Sequence, residues 1–152
     1  MKKILSSSAS TQTSLEAIRN GEAGLTEKRK KMLSRVPCPN DWATFEKDTI
    51  SIKDIAYLSA ATHHEFALLR GKSKDIIVHG VGLHCYFDEE LLGLLQAKKL
   101  RLIAHTHPDY GKIVASEDDR KFLKHINQKT SVIVSSITGV EYEYESNLFE
   151  NF

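Results

Sequence analysis

An apolar segment leads directly into a pair of histidines. Residues 100–104 read Leu-Arg-Leu-Ile-Ala, and His105-Thr106-His107-Pro108 follow without a break. A short apolar run is typical of a buried β-strand, and proline ends strands because it has no backbone N–H to donate. Side chains two residues apart in a strand point to the same side. The sequence therefore predicts a strand that presents both imidazoles on one face, with Thr106 facing away.

Strand and helix patterns alternate from residue 49 onwards. Short apolar or alternating segments predict further strands over residues 49–52, 65–71, 76–78, 131–136 and 140–144. Helical patterns predict one helix from Ser51 or Asp54 through Ala61, and two further helices over residues 88–99 and 116–127. Several connections are too short for a helical crossover, so neighbouring strands should run in both directions. The pattern predicts an α/β fold with a mixed β-sheet flanked by helices.

Residues 1–40 differ in composition from the rest of the chain. Residues 6–14 are rich in serine and threonine, and residues 15–36 are charged with few apolar side chains. We expect a flexible start and then a charged helix or helix pair, interrupted at Gly21 and Gly24. The predicted organisation is an appendage over residues 1–40 and a main domain over residues 41–152. The basic run at residues 28–31 is interpreted as a solvated helix face, with a binding patch as the alternative.

Charge and cysteine content narrow the class of protein. The 21 basic and 20 acidic side chains give a formal net charge of +1, which does not favour nucleic acid or an anionic membrane as partner. Cys38 and Cys85 do not form a disulfide or zinc-knuckle pattern, which favours a reducing, cytoplasmic location. The start of the chain lacks the apolar region of a signal peptide, and no apolar run is long enough to span a bilayer. We expect no membrane partner.

Ser116 and Asp119 follow the histidine pair and extend its chemistry. Two imidazoles and a carboxylate are a typical hydrolytic zinc ligand set, and three protein ligands leave a fourth position for water. Asp119, one turn into the predicted helix, is placed to turn back towards the histidines. The structural alternative is a helix N-cap, because Ser116-x-x-Asp119 has that form. The two roles are compatible, since a capping serine also lies beside the donors that favour an oxyanion.

The stretch from His105 to Asp119 resembles the H-x-H-P-x7-S-x-x-D motif of the JAMM metalloproteases, also called the MPN-plus domain. These zinc peptidases and isopeptidases include deubiquitinases and bacterial relatives. The family also has a glutamate on an earlier strand, and here Glu65 begins the segment Glu-Phe-Ala-Leu-Leu-Arg-Gly. The resemblance covers residues 49–144. It implies a cytidine-deaminase-like JAMM/MPN fold and makes residues 41–152 the catalytic domain.

The resemblance also implies a role for each residue. His105, His107 and Asp119 would bind Zn²⁺, which lowers the pKa of bound water to about 7. Glu65 would take a proton from that water as general base and return it to the leaving amine as general acid. Ser116 would hydrogen-bond the oxyanion of the tetrahedral intermediate. The implied activity is that of a zinc metallopeptidase or isopeptidase, which hydrolyses an amide bond in a protein or peptide.

Glu65 and the substrate are the points with open alternatives. Glu65 could face water on an edge strand, whereas burying an unpaired carboxylate is costly and points to function. The chain has little room for the long insertions that hold ubiquitin in eukaryotic members, so the expected partner is a peptide or a ubiquitin-like or sulfur-carrier tail. Two rival functions are a binding or assembly module that keeps metal for stability alone, and a DNA-associated protein with a related motif.

The other histidines receive no role in the metal site. His63 and His64 precede Glu65, and adjacent strand residues face opposite ways, so at most one of them shares its face. Surface or supporting roles are expected for both. The remaining three have no motif partner and are interpreted as ordinary surface or core residues: His79, His84 and His125.

Overall fold

The computed structural model describes residues 3–5, 8–82, 85–107 and 114–147. The helices are α1 (Ala9–Arg19), α2 (Glu27–Arg35), α3 (Ile52–Thr62), α4 (Glu89–Gln96) and α5 (Glu117–His125). The strands are β1 (Lys3–Leu5), β2 (Trp42–Glu46), β3 (Phe66–Gly71), β4 (Lys74–His79), β5 (Leu100–His107), β6 (Thr130–Ser135) and β7 (Glu141–Glu145). None of the helices in these ranges combines the length and the apolar character that a bilayer-spanning helix needs.

Within the described ranges, seven strands form one sheet in the order β1-β7-β6-β5-β3-β4-β2. Strands β5 and β6 are parallel, and the other neighbouring pairs are antiparallel. The parallel pair is connected through α5, as a parallel pair requires a crossover. The predicted α/β class, with a mixed sheet flanked by helices, is confirmed.

Helices cover both faces of the sheet. Phe66 and Leu68 of β3 pack in an α3-side core together with apolar residues of α1, α2 and α3. Ala67 and Leu69 pack in an α5-side core with apolar residues of α4 and α5. All four of these β3 residues are fully buried. A strand that is covered on both faces reads as a continuous apolar run, which explains the pattern that identified β3 from the sequence.

The N-terminal helices contribute to the core. Leu15 of α1 and Met32 of α2 are buried in the α3-side core. The predicted helix pair is present, but the expected flexible start over residues 6–14 is wrong from Ala9 onwards, because α1 begins there with Ser8 as its N-cap. Gly21 lies between the two helices with φ of +75°, a conformation that favours glycine. The boundary between an appendage and a main domain at residue 40 stays a prediction.

The strand predicted at residues 49–52 is wrong. Thr49 lies in a turn, where its N–H donates to the Glu46 carbonyl at 3.4 Å, and α3 begins at Ile52. The helix is favoured because Ser51 and Asp54 form a capping box, in which each side chain accepts the other residue's backbone N–H. The strand in this region is β2, which ends before the turn and was not predicted. Strand β1 was not predicted either.

Asp54 also connects α3 to the basic run on α2. Its carboxylate is buried; Arg29 Nε donates to Oδ1 at 2.9 Å, and Lys28 Nζ lies 3.4 Å from Oδ2. The Arg29 guanidinium lies 4.0 Å from the Tyr57 ring centre, a cation–π contact. Burial alone raises the pKa of Asp54, but the Ser51 N–H and the two cations bring it below its ordinary value. Part of the run predicted to be solvated therefore docks α2 on α3.

Replacing Asp54 with Asn is expected to lower the free energy of unfolding at pH 7 by about 1–3 kcal/mol, because charged hydrogen bonds are lost. The pKa of Asp54 is lower in the folded chain than the value of about 3.9 in the unfolded chain. Its contribution is therefore complete above about pH 5 and is lost as the pH falls through 3.9 towards the folded value. Urea unfolding of wild type and Asp54→Asn between pH 7 and pH 3 measures it.

The matched control for this substitution is Glu22→Gln, which removes an exposed carboxylate. We expect little change in stability for the control at any pH. A wild-type advantage over Asp54→Asn that stays constant from pH 7 to pH 3 would contradict the ionic link between α2 and α3.

Strand β5 contains one extra residue opposite β3. Leu68 pairs with Ala104, whereas the next residue, Leu69, pairs with Leu102, so Ile103 has no counterpart. Leu102 packs in the α5-side core, but Ile103 and Ala104 both pack in the α3-side core. A β-bulge of this kind shifts the alternation of side chains by one residue. The two histidines that follow therefore face the α5 side of the sheet.

The Gln128 side chain completes the hydrogen bonding beside this bulge. It is buried; its Oε1 accepts the Leu102 N–H at 3.0 Å, and its Nε2 donates to the Leu102 carbonyl at 2.7 Å. The Ser131 hydroxyl donates to the same carbonyl at 2.9 Å. Because β6 begins to pair with β5 at Ala104, the Gln128 amide takes the place of a backbone partner for Leu102.

Gln128→Leu is expected to lower the free energy of unfolding by about 1–3 kcal/mol, since it keeps the side-chain size but leaves the buried Leu102 N–H without a partner. Denaturant unfolding measures the change. Gln12→Leu makes the same chemical change at an exposed position of α1 and should have little effect. Equal effects of the two substitutions would show that Gln128 does not support the bulge.

Candidate metal centre

Strand β5 and helix α5 bring three of the predicted ligands together. His105 and His107 lie at the end of β5, and Asp119 lies in the first turn of α5. His105 Nε2 is 3.2 Å from Asp119 Oδ1, and His107 Nε2 is 3.3 Å from Asp119 Oδ2. One ligand atom from each of these three residues lies within 4.8 Å of the others, and we call His105, His107 and Asp119 the metal group. The two imidazoles share one face, as predicted. Pro108, which was expected to end the strand, lies outside the described residues.

Thr106 faces the opposite way and ties the end of β5 to the start of β3. It is fully buried, and its Oγ1 accepts the Phe66 N–H at 2.9 Å. The next residue of β3, Ala67, pairs with His105 across the two strands. Because β3 and β5 are antiparallel, the start of β3 lies beside the end of β5. This contact brings Glu65 to the same edge of the sheet as the histidines.

Glu65 immediately precedes β3, and both of its backbone groups are bonded. Its N–H donates to the Gly82 carbonyl at 2.9 Å, and its carbonyl accepts the Gly80 N–H at 2.6 Å. The residue is 7% exposed, and β3 lies inside the sheet between β5 and β4. The alternative of a water-facing glutamate on an edge strand is therefore wrong. Glu65 lines the same cavity as His105, His107 and Asp119.

Ser116 is the N-cap of α5, as its spacing from Asp119 predicted. Its Oγ accepts the Asp119 N–H at 3.0 Å, and its own N–H donates to Asp119 Oδ2 at 2.9 Å. The cap therefore fixes the orientation of the carboxylate that faces the histidines. Because Oγ acts as an acceptor in the cap, the hydroxyl proton remains for a further hydrogen bond.

The charge and bonding of these groups fit a divalent cation. Among the described residues, the buried Nε2 of His105 has no hydrogen-bond partner of suitable geometry, although Asp119 is close. Burial alone raises the pKa of Asp119, but the imidazoles of His105 and His107 and the Ser116 N–H bring it far below its ordinary value. A metal ion requires an ionised carboxylate and neutral imidazoles, and the three side chains place one carboxylate between two imidazole nitrogens.

The metal group opens into a cavity of about 560 Å³. The Tyr144 ring lies edge-on to His105, with 5.8 Å between centroids. Burial raises the pKa of Tyr144, and the nearby Asp119 charge acts in the same direction. Burial likewise raises the pKa of the Cys85 thiol, together with the charges of Glu65 and Asp119. Burial and the two nearby carboxylates therefore favour the protonated form of both groups.

Some cavity residues were not identified from the sequence. Phe122 and His125 line the cavity; they follow Asp119 by three and six residues along α5, a helical spacing that could have found them. His79 is a core histidine, as interpreted: its Nε2 lies 2.9 Å from His64 Nδ1. Neither His79 nor His125 belongs to the metal group, and His84 lies outside the described residues.

Comparison with known proteins identifies no relative. No family model matches the chain, and neither the curated proteins nor the solved structures contain a significant match. Membership of the JAMM family therefore stays a prediction that rests on the motif and on the arrangement of its residues.

Zinc content tests the metal centre directly. We expect wild-type protein to bind one zinc ion per chain, and His107→Ala to lower the affinity at least about a hundredfold, because even partners of metal ligands change affinity 10- to 100-fold. His125→Ala is the matched control, since His125 lines the cavity outside the metal group and its loss should leave zinc binding intact. Competition with a chromogenic chelator gives the affinities. A wild type that takes up no zinc would exclude the centre.

Proposed function

We propose that the protein is a zinc metallopeptidase or isopeptidase with a cytidine-deaminase-like JAMM fold. The observation that carries the proposal is the grouping of His105, His107 and Asp119, whose ligand atoms lie within 4.8 Å of one another in a cavity that the buried Glu65 also lines. Three protein ligands and an open position are typical of a catalytic zinc site, whereas a structural site is closed by four.

The arrangement in the sheet supports the fold assignment. Glu65 begins one central strand, and the two histidines end the antiparallel strand beside it. Ser116 and Asp119 open the helix that follows. These are the positions that the JAMM motif requires. Two imidazoles and one carboxylate also suit other first-row divalent metals, and we propose zinc because this ligand set is typical of hydrolysis.

Each residue of the site has a task in amide hydrolysis. Zinc, when bound, supplies a Lewis acid and lowers the pKa of water to about 7. The Glu65 carboxylate takes a proton from the attacking water and delivers it to the amine nitrogen, so that the C–N bond breaks after the C–O bond has formed. The Ser116 hydroxyl donates a hydrogen bond to the oxyanion, while its oxygen continues to accept the Asp119 N–H in the helix cap.

The proposed substrate is a protein or peptide, and the proposed location is the cytoplasm. Cys38 and Cys85 are both free thiols, which fits a reducing compartment. The formal net charge of +1 gives no general attraction for nucleic acid.

Glu65→Gln is expected to lower kcat by about 10²- to 10⁴-fold, since the amide cannot accept the proton of the attacking water. Zinc content should remain at the wild-type level because Glu65 is not a ligand. Cleavage of extended C-terminal tails and ubiquitin-like fusions, followed by mass spectrometry, gives the activity. Glu90→Gln, at an exposed position of α4, is the control and should cleave normally.

The same experiment separates catalysis from a structural use of the metal. If the metal served only for stability, Glu65→Gln would retain the full biological activity of the protein. Unchanged cleavage by this variant would also exclude Glu65 as the proton carrier.

A further inference from the structure

One side of α5 extends the cavity away from the metal group. Asp119, Phe122 and His125 are three residues apart, lie on one side of the helix, and all line the cavity. With a rise of 1.5 Å per residue, His125 lies about 9 Å further along the helix axis than Asp119. The cavity therefore has a metal end and a distal end, and it is longer than the attack of a water molecule requires.

The walls between the two ends are apolar. The Phe122 ring stacks on the Phe87 ring with centroids 4.8 Å apart, and Leu92 of α4 lies in the same wall. The segment that contains Phe87 is held in place by Asp88, which accepts the Trp42 Nε1–H at 2.8 Å and also caps α4. The wall is thus a formed surface with two fixed aromatic rings.

The exposed apolar residues of the described chain lie along segments that border this site. Within that part of the chain, the exposed large hydrophobic side chains are Val81 at 47%, Tyr86 at 61% and Val114 at 43%. Val81 lies between the two glycines that bond the Glu65 backbone, Tyr86 lines the cavity, and Val114 precedes Ser116 by two residues. Of these three, Tyr86 lines the cavity, so the cavity includes an exposed aromatic side chain.

We propose that the distal part of the cavity is a specificity pocket for a large apolar side chain, aromatic or leucine-like, on the substrate residue next to the scissile amide. The inference rests on the proposed function and names its substrate class. The amide lies at the metal end beside Glu65 and Ser116, and the side chain extends along α5 towards His125 against the rings of Phe87 and Phe122.

The acidic residues and the apolar walls of the cavity disfavour other substrates. Glu65, Asp118 and Asp119 line the cavity, so a carboxylate side chain would be repelled. A glycine–glycine tail has no side chain to cover Phe87 and Phe122 and would leave the apolar walls in contact with water. Burying a side chain of phenylalanine size strengthens binding by about tenfold or more relative to glycine.

Binding of small probes to the full-length protein as purified tests the pocket without measuring activity. In an NMR titration, N-acetylphenylalanine amide should shift the ring signals of Phe122 and bind at least about tenfold tighter than N-acetylglycine amide. Phe122→Ala removes a wall and Leu92→Trp fills the space, so both should abolish the preference. Phe45→Ala makes the same truncation at the α3-side core and should retain it. Equal affinity of wild type for the two probes overturns the proposal.

Cleavage of matched peptides separates this inference from the proposed function. Peptides that differ only at the residue next to the amide should show at least about a tenfold higher kcat/KM with phenylalanine or leucine than with glycine, and Leu92→Trp should lose this difference. Cleavage of glycine–glycine tails as fast as of apolar peptides overturns the pocket and leaves the hydrolase. Binding of the phenylalanine probe without cleavage of any peptide supports the pocket and overturns the hydrolase. Thermal unfolding confirms that each variant folds.

Discussion

A single extra residue in β5 determines which face of the sheet the histidines occupy. A regular strand would place Ala104 and Thr106 on the α5 side and would turn His105 and His107 into the α3-side core. The bulge at Ile103 reverses this alternation after Leu102. The amide of Gln128 compensates for the interrupted pairing by bonding both backbone groups of Leu102. The orientation of the two histidines therefore depends on the hydrogen bonds of Gln128, which lie along the edge of β5 that faces away from β3.

The pairing of β3 with β5 adds the second constraint, since it brings a buried carboxylate to the metal group. Glu65 and Asp119 together make the cavity electronegative, and the raised pKa values of Tyr144 and Cys85 report this field as well as their burial. Burying negative charge in a largely apolar cavity costs free energy, and a nearby cation lowers that cost. The proposed divalent cation beside His105 would lower this cost, so the electrostatics and the ligand geometry are both compatible with the proposed metal.

The features that the sequence predicted correctly are those that depend on neighbouring residues. The cap at Ser116, the buried run of β3 and the shared face of the two histidines follow from spacing within a few residues, whereas the start of α3 was left open between Ser51 and Asp54. The bulge at Ile103 could not be predicted, because a strand pattern does not show whether its partner contains a matching residue. The burial of Leu15 against α3 was missed for a related reason: residues distant in the chain supply the apolar contacts that a polar helix lacks locally. Residues 49–52 were misassigned as a strand because the capping box of Ser51 and Asp54 starts a helix there, despite the β propensity of Thr49.

The two oxygens of Asp119 explain how one residue can serve both the fold and the proposed chemistry. Oδ2 accepts the Ser116 N–H and so completes the cap of α5, while Oδ1 points to the unbonded Nε2 of His105. The cap therefore fixes the carboxylate without using the oxygen that faces His105. Phe122 follows on the same side of the same helix, so the distance between the metal group and the apolar wall is set by a rigid element rather than by a loop. In the proposed complex, α5 sets the distance between the scissile amide at the metal group and the substrate side chain at the apolar wall. The same helix therefore positions both the metal group and the proposed specificity pocket.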